Sequence, residues 1–286
     1  MVISPIPRQA LHQVRAFLQQ AGVEDAAFDA ACLMEFVAGS QWRWAVDALD
    51  SQQQEQLAKL AQRRAERYPL QYLLGSWSFL DFNLKVGPGV LIPRPETELL
   101  CQLGAQALEQ VSHPQVLDLC AGSGCVGLGI KRLVPDAQVR CLEKSEQALE
   151  YLRYNASHAL PEGEVEVCQG DVFTWQQQIA AHSVDLIVSN PPYISHQEMA
   201  QLEPELAHEP NMALEAPAEG LAFYQHIVPA YRHCLKPGGW LMVELGWKQG
   251  PAVQNLFEQA GYQQVKICQD EGQRDRVVLG QVPCTG

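Results

Sequence analysis

The sequence predicts an α/β protein: an open, doubly wound, mostly parallel sheet of seven strands that follows a small all-helical N-terminal domain. Three observations predict it. From residue 96 onward, short apolar strands alternate with helical segments, which indicates a parallel sheet covered by helices on both faces. A glycine loop follows the first of these strands, and Asn-Pro-Pro-Tyr follows the fourth. The residues before about 71 show apolar spacing of the helical kind only.

Residues 1–70 are predicted to form the helical domain. Apolar side chains recur at helical spacing in three stretches, separated by Gly22 and by Gly39. The third stretch also carries a basic run at Arg63, Arg64 and Arg67, which indicates either a surface for a partner or a solvated helix face. No catalytic cluster occurs here, so we expect this domain to recognise the substrate.

Residues 71–90 are predicted to link the two domains through a short hairpin. Apolar and polar residues alternate from Trp77 to Val86, and Gly87-Pro88-Gly89 then interrupts the pattern. Residues 91–286 form the predicted catalytic domain. Its strands are expected near 115–119, 138–142, 164–168, 184–189, 239–244, 264–268 and 275–280, the last two as an antiparallel edge pair. Its helices are expected near 96–110, 124–133, 145–158, 196–202, 219–235 and 249–260.

The loop after the first strand predicts a nucleotide-type pocket. The segment Cys120-Ala121-Gly122-Ser123-Gly124 runs into an apolar helical stretch, and Glu143 ends the next strand about twenty residues after Gly122. Glycines let the backbone approach a ligand, a helix N-terminus offers free N–H groups, and an acidic side chain there can accept from ribose hydroxyls. This pattern suits a nicotinamide or flavin dinucleotide as well as an adenosyl cofactor.

Two further carboxylates favour S-adenosylmethionine. Asp118 lies inside the end of the first strand, where it can approach a cationic ligand amine or simply hold the loop. Asp171 follows the third strand and can accept from an adenine amino group or simply begin a turn. Val172 is expected beside the adenine.

Asn190-Pro191-Pro192-Tyr193 follows the buried strand that ends at Ser189. Ligands of open α/β sheets bind beyond the carboxyl ends of the strands. The prolines stiffen the loop and remove two N–H donors, so its carbonyl groups are free to accept. Such a loop can accept both hydrogens of a planar –NH2 group while Tyr193 covers that group. The motif indicates methylation of an amide or exocyclic amino nitrogen, and a proline-rich turn is the alternative.

Composition indicates a folded protein of the reducing cytoplasm. The chain is 47% hydrophobic and 19% charged over 286 residues, with no apolar run of membrane-spanning length. Nine cysteines lack the spacing of zinc ligands, so no metal is expected. The net charge of −13 argues against binding to nucleic acid. Most of that charge lies in residues 76–286, with 13 Lys+Arg against 25 Asp+Glu.

The sequence resembles the release-factor glutamine methyltransferases of the HemK type over most of its length. The resemblance rests on six segments: Leu91–Glu98, Asp118–Gly124, Asn190–Ile194, His208–Pro210 with Ala213-Leu214, Leu235–Gly239 and Gly272–Gly280. Asn-Pro-Pro-Tyr is shared with adenine-N6 methyltransferases, whereas the first segment is more particular to the glutamine enzymes. The chain departs from the family at Cys120, where the loop usually has a glycine. The resemblance implies the seven-stranded, Rossmann-like methyltransferase fold.

Site roles follow from this chemistry. We expect Asn190 Oδ1 and the Pro191 carbonyl to accept the two amide hydrogens and Tyr193 to stack on the amide, with Pro192 completing the substrate site. The expected cofactor-binding residues are Cys120, Ala121, Gly122, Ser123, Gly124, Thr97, Glu143, Asp171, Val172 and Asn190. Arg94 could reach the cofactor carboxylate with Thr97, or pair with Glu96 or Glu98.

The resemblance implies methylation of the glutamine in the Gly-Gly-Gln loop of peptide-chain release factors, by a cytoplasmic monomer that uses S-adenosylmethionine. Three alternatives remain at this point: a ribosomal-protein glutamine methyltransferase, an adenine-N6 methyltransferase of nucleic acid, and a dinucleotide-dependent oxidoreductase. A pure binding module is disfavoured because it would leave the Asn190 loop without a purpose.

Overall fold

A computed structural model describes residues 1–44, 47–160 and 165–284. Their contacts divide the chain into two compact units. Unit 1 contains Met1–Ser76 together with the short segment Glu203–His208, and unit 2 contains the other described residues. Within the described ranges, no helix has both the length and the apolar character that a membrane span needs.

Unit 1 is helical, as the sequence predicts. Its helices are α1 (Pro7–Gln20), α2 (Ala26–Ala38), α3 (Ser51–Ala65) and the short α4 (Leu70–Leu74). The start of α3 is fixed by a capping box, in which the Asp50 side chain accepts from the Gln53 backbone N–H and the Gln53 side chain accepts in return. Fully buried side chains from the first three helices form the core: Val14, Leu18, Leu33, Met34 and Leu57.

The basic run of Arg63, Arg64 and Arg67 does not form one continuous surface stripe, because Arg63 is exposed, Arg64 is buried and Arg67 lies beyond the end of α3. Arg64 is buried, and its guanidinium lies 2.6 Å from Asp29 Oδ2 and 2.8 Å from Glu205 Oε1. Arg67 also binds Glu205, at 2.8 Å. Arg63 stacks on the Tyr68 ring with its guanidinium carbon 3.9 Å from the ring centroid. Burial without a partner would be costly for Arg64, so these carboxylates hold unit 1 together.

The predicted hairpin is present as β1 (Ser76–Phe79) and β2 (Phe82–Lys85). The seven-stranded sheet is also present, and its strands are β3 (Gln115–Leu119), β4 (Gln138–Glu143), β5 (Glu166–Gln169), β6 (Val184–Ser189), β7 (Leu235–Glu244), β8 (Gln263–Gln269) and β9 (Asp275–Gln281). Their order across the sheet is β5-β4-β3-β6-β7-β9-β8. Strands β3 to β7 are parallel, and β9 is antiparallel to both β7 and β8, which confirms the predicted edge pair.

The helices of unit 2 are α5 (Glu98–Ala107), α6 (Cys125–Leu133), α7 (Glu146–His158), α8 (His196–Met199), α9 (Asn211–Leu214), α10 (Ala222–Ala230) and α11 (Gly250–Gln259). Single 3₁₀ turns occur at Pro95–Thr97, Trp175–Gln178 and Arg232–Cys234, and a further one lies at Pro204–His208 in unit 1. The helix expected from residue 219 begins only at Ala222, because Gly220 has a φ of +83° that no α-helix contains.

Apolar side chains cover both faces of the sheet, as expected for a doubly wound fold. One core includes Leu100, Val116 and Ile130, and the other includes Leu117, Ile227 and Phe257. Successive residues of β3 therefore point to opposite cores. Strand order reverses at β3, which has β4 on one side and β6 on the other. Ligands bind at such switch points, beyond the carboxyl ends of the strands.

Candidate active site

A cavity of about 330 Å³ opens at this switch point. It is lined by residues that follow β3, β4, β5 and β6 and by the segment before α5. The sequence-predicted residues that line it are Thr97, Cys120, Ala121, Gly122, Ser123, Glu143, Asp171, Val172, Asn190 and Pro192. Among the described residues, no group of three or more His, Cys, Asp or Glu side chains is arranged to hold a metal ion.

The glycine loop bends sharply to place its backbone against the cavity. Gly122 and Gly124 have φ values of +56° and +85°, which favour glycine. A Cβ at Gly124 would lie 2.5 Å from Leu152 Cδ1, so this glycine is also required by packing. Cys120 has a φ of +60° as well, which is uncommon for a residue with a side chain.

Glu143 organises the loop as well as lining the cavity. Its Oε2 accepts from the Gly122 backbone N–H at 2.8 Å. Its Oε1 accepts from the backbone N–H groups of Lys144 and Ser145 at 2.8 and 2.7 Å. A carboxylate has about four acceptor positions, so capacity remains for one ligand hydroxyl.

Asp118 is buried behind the loop rather than exposed in the cavity. Its Oδ2 accepts from the Gly127 backbone N–H in the first turn of α6, at 2.8 Å. Its Oδ1 is buried without a hydrogen-bond partner. Burial raises the pKa of Asp118 to about 8, although the bond from Gly127 lowers it. Of the two interpretations of Asp118, the geometry therefore favours the one in which it holds the loop and the start of α6.

Asp171 lines the cavity, but its carboxylate already has two partners. Lys144 Nζ lies 2.8 Å from Oδ2, and the Phe173 backbone N–H donates to Oδ1 at 3.0 Å. Burial acts to raise the pKa of Asp171, but these two interactions outweigh it, so the pKa is lowered and the group stays ionised. Asp171 can therefore begin the turn and still offer an acceptor position beside the cavity.

The Asn190 loop lies at the end of β6 with its side chain at the cavity. Ser189 fixes the strand end, because its hydroxyl donates to the Leu119 carbonyl at 2.7 Å. Asn190 Nδ2 donates to Thr97 Oγ1 at 3.3 Å. Asn190 is half-buried, and this bond leaves its Oδ1 to accept from a ligand.

The rest of the Asn190 loop is held by residues that do not line the cavity. Pro191 is buried and Tyr193 half-buried, and neither is among the residues that line the cavity, whereas Pro192 is. Gln249 Nε2 donates to the Tyr193 carbonyl at 3.0 Å. A Cβ at Gly220 would lie 2.2 Å from that same carbonyl oxygen, so only glycine fits beside the loop. Burial raises the pKa of the Tyr193 hydroxyl, which stays neutral.

Two segments that the sequence presents far apart meet at the cavity mouth. Arg94 pairs with Glu209, whose other oxygen accepts from the Ile92 backbone N–H at 2.9 Å. Glu209 is buried, so it ties the segment before α5 to the segment before α9. Of the two roles expected for Arg94, the one in which it pairs with Glu96 or Glu98 is therefore wrong. Glu98 instead accepts from the Leu80 backbone N–H at 2.8 Å.

Sequence reasoning missed several residues that support the site. Asn155 Nδ2 donates to the Ser123 carbonyl at 2.9 Å and to the Lys85 carbonyl at 3.1 Å, so it links the glycine loop to β2. Glu244 is a buried carboxyl at the end of β7. The available signal for Glu244 was its place at a strand end beside β6, since Ser189 pairs with Val243. Asn155 gives no signal in the sequence, because it lies within a helix.

Comparison with known proteins places this geometry in a family. Residues 9–75 match the family described as PrmC N-terminal domain, and residues 97–219 match the Methyltransferase small domain. The release factor glutamine methyltransferase of Geobacter sulfurreducens is 37% identical over 282 residues, which is 96% of each chain. The chain belongs to the release factor glutamine methyltransferase family. The Escherichia coli member is 34% identical over 279 residues, again 96% of each chain.

The fold agrees with this membership. A solved methyltransferase from Pyrococcus furiosus superposes with a TM-score of 0.51 at 16% identity, covering 71% of this chain and 89% of that one. The chain is therefore an S-adenosylmethionine-dependent methyltransferase with a seven-stranded, Rossmann-like domain and a helical N-terminal domain. Membership of this family excludes the alternative that the chain is a dinucleotide-dependent oxidoreductase.

The cavity fits the adenosyl cofactor of this family. The backbone at Gly122 has free space beside it, since a Cβ at this position would meet nothing within 4 Å. The carboxylate-bearing residues Glu143 and Asp171 also line the cavity. Apolar side chains at Val172 and Phe173 offer a surface for a flat ring system.

Removal of the Glu143 carboxylate should weaken cofactor binding. Glu143→Ala removes a ligand acceptor and leaves the Gly122 N–H without its partner. We expect the loss to be about 1.5–3 kcal/mol, the range for hydrogen bonds to charged groups, or roughly 10- to 150-fold in Kd. Calorimetric titration with S-adenosylhomocysteine measures it. Glu146→Ala, at an exposed neighbouring glutamate, is the matched control and should bind normally. Equal affinity for both variants would contradict the assignment.

The strained backbone at Cys120 predicts opposite effects for two substitutions. Cys120→Val should lower the free energy of unfolding by about 1–3 kcal/mol, because a β-branched residue is a clear outlier at a φ of +60°. Cys120→Gly should change it by less than about 1 kcal/mol, since relief of strain is offset by the extra entropy of the unfolded chain. Chemical denaturation without cofactor compares the two. A Val variant as stable as the wild type would show that the loop relaxes at no cost.

Proposed function

We propose that this protein transfers a methyl group from S-adenosylmethionine to the side-chain amide nitrogen of the glutamine in the Gly-Gly-Gln loop of peptide-chain release factors. The observation that carries the proposal is the placement of Asn190 at the cavity with its Nδ2 bound to Thr97 and its Oδ1 left as an acceptor. The names of the relatives from Geobacter sulfurreducens and Escherichia coli support release factors as the substrate class.

An amide nitrogen is a weak nucleophile because its lone pair is delocalised into the carbonyl group. Bound S-adenosylmethionine would supply an electrophilic methyl group on a sulfonium, which departs as a neutral thioether when nitrogen takes the methyl. Asn190 Oδ1 and the Pro191 carbonyl would accept the two N–H hydrogens and favour a pyramidal nitrogen. Tyr193 would hold the plane of the amide. One N–H proton then leaves to water, so a side-chain base is not required before attack.

Two physical effects account for the rate. Orientation of the nitrogen in line with the methyl group can contribute as much as ~7–11 kcal/mol in well-oriented systems. Fixed acceptors also stabilise the positive charge that develops on nitrogen, without reorganisation during the reaction. Both depend on a rigid loop, and here the two prolines, Ser189 and Gln249 provide the rigidity.

Within the cofactor site, residues 120–124 would hold the methionine portion, Glu143 the ribose, and Asp171 with Val172 the adenine. Thr97 would act beside the reacting groups. Unit 1 would recognise the intact protein substrate, since the described residues there offer no catalytic cluster. We also infer that the enzyme is a cytoplasmic monomer. All nine cysteines are unpaired, which supports a reducing compartment, and light scattering of the pure protein tests the oligomeric state.

Transfer of labelled methyl groups tests the proposal. The protein is incubated with labelled S-adenosylmethionine and, separately, with release factors, ribosomal proteins or nucleic acid, and labelled products are mapped by peptide or nucleoside analysis. We expect label on the glutamine of the Gly-Gly-Gln loop. The matched control is a release factor with that glutamine replaced by alanine, which should take no label. Label on ribosomal protein or adenine alone would overturn the proposed substrate.

A further inference from the structure

A second depression opens beside the cofactor cavity, and we call it the side groove. It encloses about 510 Å³ and is lined by residues 195–197 at the start of α8, by two residues of α9 and by residues 215–219 before α10. All of these residues belong to unit 2. Met212, Glu215 and Pro217 line both the cavity and the side groove, so the two spaces adjoin. A molecule too long for the cavity can therefore continue into the side groove.

The walls of the side groove are joined by backbone hydrogen bonds. The Ile194 N–H donates to the Leu214 carbonyl at 2.8 Å, and the Ala216 N–H donates to the Ile194 carbonyl at 2.9 Å. This parallel bridge ties the segment before α8 to the segment after α9. Ser195 and Glu198 form a capping box that fixes the start of α8. The groove is therefore a fixed feature of the fold rather than a gap between loose loops.

One edge of the groove is a strained turn that contacts the loop of the active site. Ala218 and Glu219 both have a φ of +54°, which is uncommon for residues with a side chain. Gly220 holds the turn through its N–H, which donates to the Pro217 carbonyl at 3.1 Å. Gly220 also packs so closely on the Tyr193 carbonyl that a Cβ would lie 2.2 Å from its oxygen. Such strain persists only where the surrounding structure holds it, and it concentrates at ligand-binding positions.

The chemistry of the side groove suits a polypeptide better than a nucleic acid. Its acidic side chains are Glu215 and Glu219, and none of the described residues that line it is a lysine or an arginine. His196 Nδ1 lies 2.8 Å from Glu215 Oε1. Carboxylates repel phosphate groups, whereas they accept from backbone N–H groups and attract basic side chains. Met212, which is 50% exposed, adds an adaptable apolar surface. An extended segment of protein supplies the donors that match these acceptors.

We propose that the side groove binds the polypeptide segment next to the methylated glutamine, on one side of that residue. This inference rests on the proposed function, since it concerns the backbone that lies at the cavity mouth once the glutamine side chain is inside. Glu215, which borders both spaces, lies where the segment leaves the cavity. Glu219, farther along, accepts from a backbone N–H of the segment and favours a basic side chain there over an acidic one.

Steady-state kinetics with two substrates test the inference. One is a Gly-Gly-Gln peptide with flanking residues on both sides, and the other is N-acetylglutamine methylamide, which has no segment to enter the groove. Glu219→Gln should raise the KM of the peptide roughly 3- to 10-fold and change its kcat less than about two-fold, because a uniform binding contact is weakened. Gln197→Trp, which fills the groove from the α8 side, should raise that KM at least about 10-fold through a steric clash. The kcat/KM of the single-residue substrate should stay the same in both variants.

A matched control and a charge series complete this test. Glu150→Gln, at an exposed glutamate of α7, should behave as the wild type with both substrates. Peptides with lysine or glutamate beside the Gly-Gly-Gln sequence then probe the charge of the groove. On one side, the wild type should prefer lysine about 2- to 5-fold in kcat/KM, the range for an exposed ion pair, and Glu219→Gln should reduce that preference. An unchanged peptide KM in both groove variants, or an equal loss for the single-residue substrate, would overturn the inference.

Photo-crosslinking separates failure of this inference from failure of the proposed function. The full chain with S-adenosylhomocysteine is mixed with the same peptide carrying a photoreactive side chain either before or after the Gly-Gly-Gln sequence, and the cross-linked sites are mapped by mass spectrometry. One of the two peptides should label residues 195–197 or 215–219. If it does so although the protein methylates neither peptide nor release factor, the proposed function fails while the groove stands as a peptide site. Methylation of the peptide with cross-links only elsewhere would contradict the inference and leave the proposed function intact.

Discussion

Replacement of Asn190 by alanine is expected to lower the single-turnover rate of methyl transfer by at least about 10²–10³-fold. Losses of this size follow removal of one preorganised transition-state hydrogen bond in other enzymes. The substitution removes the Oδ1 acceptor and the Nδ2 group that binds Thr97. Cofactor affinity should change little, because Glu143 and the glycine loop are anchored independently. The measurement uses saturating release factor and cofactor.

Two further variants make this result interpretable. Asn83→Ala, at an exposed asparagine of β2, is the matched control and should react at the wild-type rate. Asn190→Asp keeps an acceptor but adds negative charge near the sulfonium. Because that positive charge weakens during transfer, the aspartate should favour the ground state, giving tighter cofactor binding with slow turnover. If Asn190→Ala reacts at nearly the wild-type rate, other groups hold the substrate amide and the central assignment is wrong.

Local sequence was enough to predict where the two loops of the candidate site lie. The apolar runs at β3 and β6 predict these strands. Each strand is followed by residues whose chemistry suggests a role, Gly122 after β3 and Asn190 after β6. The open parallel sheet then requires these loops to lie at the same edge. The positive φ at Cys120 occurs where the family usually has a glycine.

Contacts between distant segments could not be read from the sequence. The sequence left Arg94 either to reach the cofactor carboxylate or to pair with a nearby glutamate, yet Arg94 pairs with Glu209, 115 residues away along the chain. Acidic residues are common in this chain, so charge alone does not select a partner for an arginine. The bond from Asn190 to Thr97 could not be predicted for the same reason, because the two residues lie 93 positions apart in separate elements.

The partners of Arg64 and Arg67 likewise could not be predicted from the sequence. As a sequence pattern, basic residues in a helix indicate a solvated face or a partner surface. Here the acceptors are supplied within unit 1 by Asp29 and by Glu205, and the latter lies more than 130 residues further along the chain. A short segment that returns to an earlier unit leaves no trace in hydrophobic periodicity, and family resemblance alone did not reveal it.

Removal of unit 1 is expected to separate recognition of the protein from chemistry on the amide. The cavity of about 330 Å³ offers little surface for discrimination among proteins. A chain that begins at Trp77 should therefore methylate a short Gly-Gly-Gln peptide as fast as the full chain. Its kcat/KM for intact release factor should fall at least about 100-fold, equivalent to about 2.7 kcal/mol of lost interaction.

Two controls distinguish lost recognition from damage to the catalytic fold. The shortened chain keeps Glu203–His208 without their partners in unit 1, so its affinity for S-adenosylhomocysteine must first be shown to match that of the full chain. Trp44→Ala in the full chain tests whether one exposed aromatic side chain of unit 1 contributes to recognition of the release factor. Trp44 is 80% exposed, whereas its neighbour Trp42 is buried, and exposed tryptophans are frequent anchors of protein interfaces. A shortened chain that methylates intact release factor and peptide equally well would assign recognition to unit 2 instead, leaving unit 1 without a role in substrate choice.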